Sequence, residues 1–202
     1  HSSFIMGRMA YAAFLGGAGG IRANTVEDIH EIRVNVSLPI IGIIKHDYPD
    51  TPVVITPTMN EVNALMQEGV EIIAMDATQR KRHGGITIAE LFPEVRRKYP
   101  NQLFMADCGS YRDAQIAQDL GFDLIGTTLN GYTEDSCQVP PPNFAFMKQL
   151  VSTLNKPVIA EGGIFSPEQL RYAMDQGVHA CVVGSAITRP LEITKRYVAA
   201  LR

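Results

Sequence analysis

The chain is short of four features that would assign it to other classes. No apolar run reaches the ~20 residues needed to span a bilayer, and the N-terminus shows no charged region followed by an apolar signal core; it is read as cytoplasmic, with no membrane partner. No CxxC pair occurs, and Cys108, Cys137 and Cys181 are odd in number and lack metal-ligand or redox spacing, which suits a reducing compartment. No basic block stands out beyond Arg80-Lys81-Arg82, and eighteen Lys plus Arg against twenty-one Asp plus Glu leave a net charge of -3, which argues against nucleic acid as a partner. The triplet is read as a solvated loop, with anion steering as its alternative. A Gly-rich phosphate turn after the first strand, the mark of a doubly wound sheet, is also missing.

What is there is an alternation. The 202 residues, 46% hydrophobic, suffice for one sizeable core. Short β-branched runs at 19–23, 39–45, 71–77, 103–108, 124–129, 157–164 and 180–187 predict strands, apolar on successive residues and therefore buried on both faces. Between them, helical periodicity predicts helices over 4–15, 26–36, 59–67, 86–99, 110–120, 143–154, 167–176 and 191–201. Gly16, Gly69, Gly121 and Gly177 stand at expected C-caps, Thr25 and Ser110 at expected N-caps, and Pro167 and Pro190 at or near first helical positions. The fold expected is α/β, a single (β/α)8-barrel catalytic domain over residues 1–202 that lacks its first β-strand, since a helix comes where that strand belongs.

In such a barrel, polar residues that end apolar strands collect at the active site. They are Arg22, Lys45, Asp76, Asp107, Thr127, Thr128 and Glu161. Lys45 ends a wholly apolar strand, where desolvation favours a base over a solvated ammonium. Glu161 ends the penultimate strand, across the barrel, and a carboxylate there is costly unless paired or functional. Counting the missing strand, both positions are odd-numbered, so a small substrate can touch both. Asp76 and Asp107 can each orient a sugar hydroxyl, hold Lys45 in place or cap the following loop. The turns Glu161-Gly162-Gly163-Ile164 and Gly184-Ser185-Ala186-Ile187 follow the last two strands, where barrels of this class bind phosphate, and Arg189 can add a charged contact. His46 and His83 are read as incidental loop histidines, and His30 and His179 fall outside any metal-ligand pattern, so neither metal nor cofactor is expected.

The stretches Ile40-Ile41-Gly42-Ile43-Ile44-Lys45 and Gly126-Thr127-Thr128-Leu129-Asn130-Gly131-Tyr132-Thr133 resemble the N-acetylmannosamine-6-phosphate 2-epimerases of bacterial sialic acid catabolism. So do His1-Ser2-Ser3-Phe4-Ile5-Met6, Gly20-Ile21-Arg22-Ala23, Ala74-Met75-Asp76-Ala77-Thr78, Met105-Ala106-Asp107 and the run Val183-Gly184-Ser185-Ala186-Ile187-Thr188-Arg189-Pro190. The resemblance covers essentially the whole chain. It implies a cytosolic isomerase acting on a phosphorylated amino sugar without metal or cofactor, with a homodimer allowed. It further implies Lys45 as catalytic lysine, Glu161 as its acidic partner, and substrate contacts from Arg22, Asp107 and Arg189, with Asp76 and Thr127 kept in the substrate-binding set. Gly162, Gly163, Gly184 and Ser185 would hold the phosphate. Three departures accompany it: a Ser-Cys-Gln-like first strand is lacking, Ser185 replaces a second glycine, and Cys108-Gly109 replaces an Ile-Ser or Ile-Ala pair. Two rivals stay open, a Schiff-base lysine in another phosphosugar barrel and a catalytically silent sugar-phosphate binder.

Overall fold

Runs such as Ile40-Ile41-Gly42-Ile43 form strands because β-branched side chains fit a pleated, buried surface. In the computed structural model, which describes residues 2–201, seven of them align in parallel: β1 (Ile21–Asn24), β2 (Ile40–Ile43), β3 (Ile72–Asp76), β4 (Leu103–Asp107), β5 (Leu124–Gly126), β6 (Val158–Glu161) and β7 (Ala180–Val182). Each pairs with its sequence neighbours, in the order β1 to β7, and among the described residues no pairing joins β7 to β1. The sheet thus curls into a nearly closed barrel with one seam. Around it lie α1 (Ser3–Leu15), α2 (Val26–Asn35), α3 (Met59–Glu68), α4 (Ile88–Lys98), α5 (Tyr111–Leu120), α6 (Phe144–Thr153), α7 (Pro167–Asp175), the single turn α8 (Ser185–Thr188) and α9 (Pro190–Ala199).

The two-residue period of a strand divides its side chains between two cores. Ile43, Ala74, Met105 and Ile159 pack with Ile41, Ile72, Leu124, Ala180 and Val182 inside the barrel. The alternate residues Ile40, Ile73, Met75, Phe104, Ala106, Ile125, Val158 and Ala160 pack outward, beneath the helices. Register then sets the strand ends side by side: Asp76 pairs with Asp107, and Asp107 with Gly126.

The helix boundaries follow local chemistry. Thr25 and Ser110 cap α2 and α5 through their side-chain oxygens, and Thr58 and Thr87 form capping boxes with Glu61 and Glu90 at the starts of α3 and α4. Gly69 and Gly121 end α3 and α5 in the left-handed conformation. At the end of α1, Gly16 stays right-handed and Gly17 makes that turn instead.

The strands are shorter than the apolar runs that predict them. The run 157–164 stops pairing at Glu161 because Gly162 and Gly163 adopt φ of 107° and 69°. The run 180–187 is strand only to Val182; Gly184 turns the chain, and Ser185 to Ile187, expected in the strand, belong to α8. The Arg80-Lys81-Arg82 triplet is not a solvated run: Arg80 pairs with Asp76 at 2.7 Å, and Arg82 is fully buried, donating to the Asp76 carbonyl. Burial pulls the Arg82 guanidinium down to about 10. His1, in the first of the N-terminal motifs, lies outside the described residues.

Candidate active site

Inward parity fixes which strand-end side chains meet. Arg22 reaches across from β1 to β4, donating to both oxygens of Asp107 at 3.1 and 2.5 Å, and its Nη1 lies 3.1 Å from Glu161 Oε2 at the end of β6. Thr128, just past β5, donates to Asp107 Oδ1 at 2.7 Å and to Glu161 Oε2 at 3.3 Å. Four strands therefore supply one network of a guanidinium, two carboxylates and a hydroxyl, resting on the Met105 sulfur, which Arg22 Nη1 approaches at 3.9 Å.

The network is electrostatically tense. Asp107 is wholly buried. Burial works against the Arg22 charge, but Asp107 and Glu161 more than offset it and raise the guanidinium pKa. Burial likewise pushes the Glu161 carboxyl up to about 7; Arg22 pulls it back, Asp107 adds to the rise, and the Thr128 bond and the charge of Lys45 lower it again. One carboxyl close to neutrality beside a second and a fixed cation is the kind of arrangement that exchanges protons at physiological pH.

Lys45 follows β2 with the same parity as Ile41 and Ile43, toward the barrel mouth, and its side chain is exposed. Its backbone is held: the N–H donates to Asn24 Oδ1 at 2.8 Å, and the residue bridges to Ile55 in antiparallel fashion. The charge of Lys45 is among the influences that lower the Glu161 carboxyl.

The remaining candidates divide. Asp76 has its carboxylate occupied by its own loop, accepting from the Thr78 N–H and hydroxyl and from Arg80, which is the capping role open to it from sequence. Thr127 has the opposite parity; its hydroxyl accepts from the Glu161 N–H at 2.9 Å and donates to the Glu161 carbonyl at 2.8 Å, locking β5 to β6 under the carboxylate. Gly162 and Gly163 follow Glu161; a Cβ on Gly163 would lie 2.4 Å from the Pro141 carbonyl carbon, so this turn is packed against the loop after β5. Gly184 and Ser185 open α8 on the neighbouring strand end, and Arg189, between α8 and α9, is exposed. Among the described residues no three His, Cys, Asp or Glu side chains cluster as metal ligands, and no helix is long and apolar enough to cross a membrane.

Residues 6–202 match the family profile described as putative N-acetylmannosamine-6-phosphate epimerase. The chain belongs to that epimerase family. A Listeria innocua relative named putative N-acetylmannosamine-6-phosphate 2-epimerase is 51% identical over 199 residues, covering 98% of this chain and 86% of its own length. A Lactiplantibacillus plantarum protein of the same name is 47% identical over 203 residues, covering 100% of this chain and 89% of its own. The solved N-acetylmannosamine-6-phosphate 2-epimerase of Clostridium perfringens superposes with a TM-score of 0.94 at 48% identity, over 99% of this chain and 86% of that one.

Within the epimerase family frame, Thr128 is a strand-end polar residue that the expected substrate-binding set leaves out. Its neighbour Thr127 was the one expected at substrate, yet Thr128 touches both carboxylates. The signal that separates them is parity: Leu124 packs inside the barrel and Ile125 outside, which sends residue 128 inward and residue 127 outward.

Proposed function

We propose that this member of the epimerase family interconverts N-acetylmannosamine 6-phosphate and N-acetylglucosamine 6-phosphate by inverting C2 through an enolate. In the open-chain sugar the C1 aldehyde acidifies the C2 hydrogen. The free amine of Lys45 takes that proton, and the C–H electrons pass through C1 to its oxygen. Proton return to the opposite face inverts C2. The proton comes from the Lys45 ammonium after the intermediate turns, or from Glu161 on the facing strand. The observation that carries this reading is the pairing of an exposed lysine with a carboxyl near neutrality on opposite strand ends, the carboxyl held in place by Arg22, Asp107 and Thr128.

The phosphate is taken by the turns at Gly162, Gly163, Gly184 and Ser185, with Arg189 beside them; backbone N–H groups freed from strand pairing suit an anion. A cytoplasmic setting is supported by three free thiols. Self-association is supported by α9, which has no buried residue and exposes Leu191, Tyr197 and Val198.

The test is to incubate the protein with N-acetylmannosamine 6-phosphate in deuterated water and follow both epimers by proton NMR. Conversion with deuterium gained at C2 is expected. Binding without conversion or exchange would overturn the proposal.

A further inference from the structure

The loop between β2 and α3 carries a construction that the reaction as described does not use. Residues 44–46 run antiparallel to 54–56: the Thr56 N–H donates to the Ile44 carbonyl, Lys45 bridges to Ile55, and the His46 N–H donates to the Val54 carbonyl. Because alternate residues face opposite sides, Lys45 points to the barrel mouth while Ile44 and His46 point outward, Ile44 against the outer core. The His46 Nδ1 lies 3.0 Å from Glu61 Oε1, on α3. Its ring stacks on Tyr48 at 4.2 Å, and Tyr48 stacks in turn on His83 at 4.0 Å.

The anchor of this stack is rigid. Glu61 is 5% exposed and sits at the third position of α3, where its Oε2 accepts from the Thr58 N–H and hydroxyl and its Oε1 from the Tyr48 hydroxyl. Burial would raise its carboxyl, but those bonds outweigh it and the pKa is lowered. At the far end His83 Nδ1 lies 2.8 Å from Asp50, whose other oxygen accepts the Gly84 N–H. Two loops and the start of α3 are thereby clamped together one residue from Lys45.

We propose that His46 is the positioning residue of Lys45: its ring, held by Glu61 and Tyr48, fixes the backbone from which the lysine amine reaches the substrate carbon. This rests on the reading of Lys45 as the base. A half-exposed ring at the end of a stack contributes little to global stability, but a reacting group displaced by ~1 Å can lose ~10²-fold in rate. The role predicts a loss in kcat rather than in binding, since the phosphate turns lie on the opposite side of the barrel.

The experiment compares Lys45→Ala, His46→Ala and His46→Asn by proton NMR, for kcat, KM and C2 exchange, with thermal unfolding as control. His46→Ala is expected to lower kcat by ~10-fold or more, leaving KM within about twofold and the fold intact. In His46→Asn the side-chain amide nitrogen takes the place of Nδ1, and recovery of most of the rate is expected. If Lys45→Ala is inactive while His46→Ala keeps the full wild-type rate, the positioning role alone is overturned. It is overturned too if His46→Ala raises KM as much as it lowers kcat, or if His46→Asn recovers nothing. If Lys45→Ala still exchanges at the wild-type rate, the base assignment falls, and this role falls with it.

Discussion

Replacing Arg22 by leucine removes the guanidinium that bridges two carboxylates. Asp107, fully buried, loses both of its guanidinium bonds, and Glu161 loses its 3.1 Å contact. Breaking a buried ion pair from one side typically costs ~3–5 kcal/mol, because the charge left behind is uncompensated. The cost must depend on pH in a definite direction. Glu161 has a folded-state pKa above its ordinary ~4.3, so its contribution to stability is complete below that value and is lost as pH rises through about 7. Arg22 is the largest influence holding that carboxyl down. Without it the folded pKa climbs further, and the variant goes on losing stability well above pH 7, after the wild-type carboxyl has fully ionised. Each unit in that added window contributes up to ~1.4 kcal/mol. Urea denaturation at pH 6.5 and 8.5 measures both terms, with the gap between the two proteins widening at the higher pH. A cost below ~1 kcal/mol at pH 8.5, or one equal at the two pH values, would show that Arg22 does not carry the compensation assigned to it.

Lys45→Ala is expected to lower epimerisation by at least ~10²-fold and to abolish C2 exchange in deuterated water, while inorganic phosphate still binds with near wild-type affinity by calorimetry. Thr128→Val removes the hydroxyl shared by Asp107 and Glu161, costing ~1–2 kcal/mol in denaturant melts; carbon NMR should find the Glu161 carboxyl titrating at higher pH, since that hydroxyl lowers it. Gly163→Ala sets a left-handed φ of 69° on an alanine whose Cβ meets the Pro141 carbonyl; with ~1–2 kcal/mol for the φ alone, the melting temperature and the phosphate affinity should fall together.

The barrel was legible because both of its periods are written plainly: seven apolar runs with strand composition, and helical spacing between them. The strand termini were less legible, because an apolar run and a paired strand are different things. Val183 to Ile187 is apolar enough for a strand, yet the turn at Gly184 decides the backbone there. At the site, Arg22, Lys45, Asp107 and Glu161 were visible as polar residues ending apolar strands. The partnership of Arg22 with Asp107 was not, because they are 85 positions apart and meet only through the barrel. Arg82 misled for the opposite reason. A basic triplet looks solvated, and nothing local announces that the Asp76 carbonyl will draw one guanidinium inside.

The division of each strand between an inner and an outer core also limits how such a chain can change in length. Deleting one residue within β6 would shift every later residue of the strand by one place and turn the Glu161 carboxylate from the barrel axis into the apolar layer beneath the helices. The same holds for Asp107 in β4. Over evolutionary time, insertions and deletions in this architecture are therefore confined to the connections. Two descendants can differ freely in loop length, while the number of residues from the start of each strand to its terminal polar group stays constant.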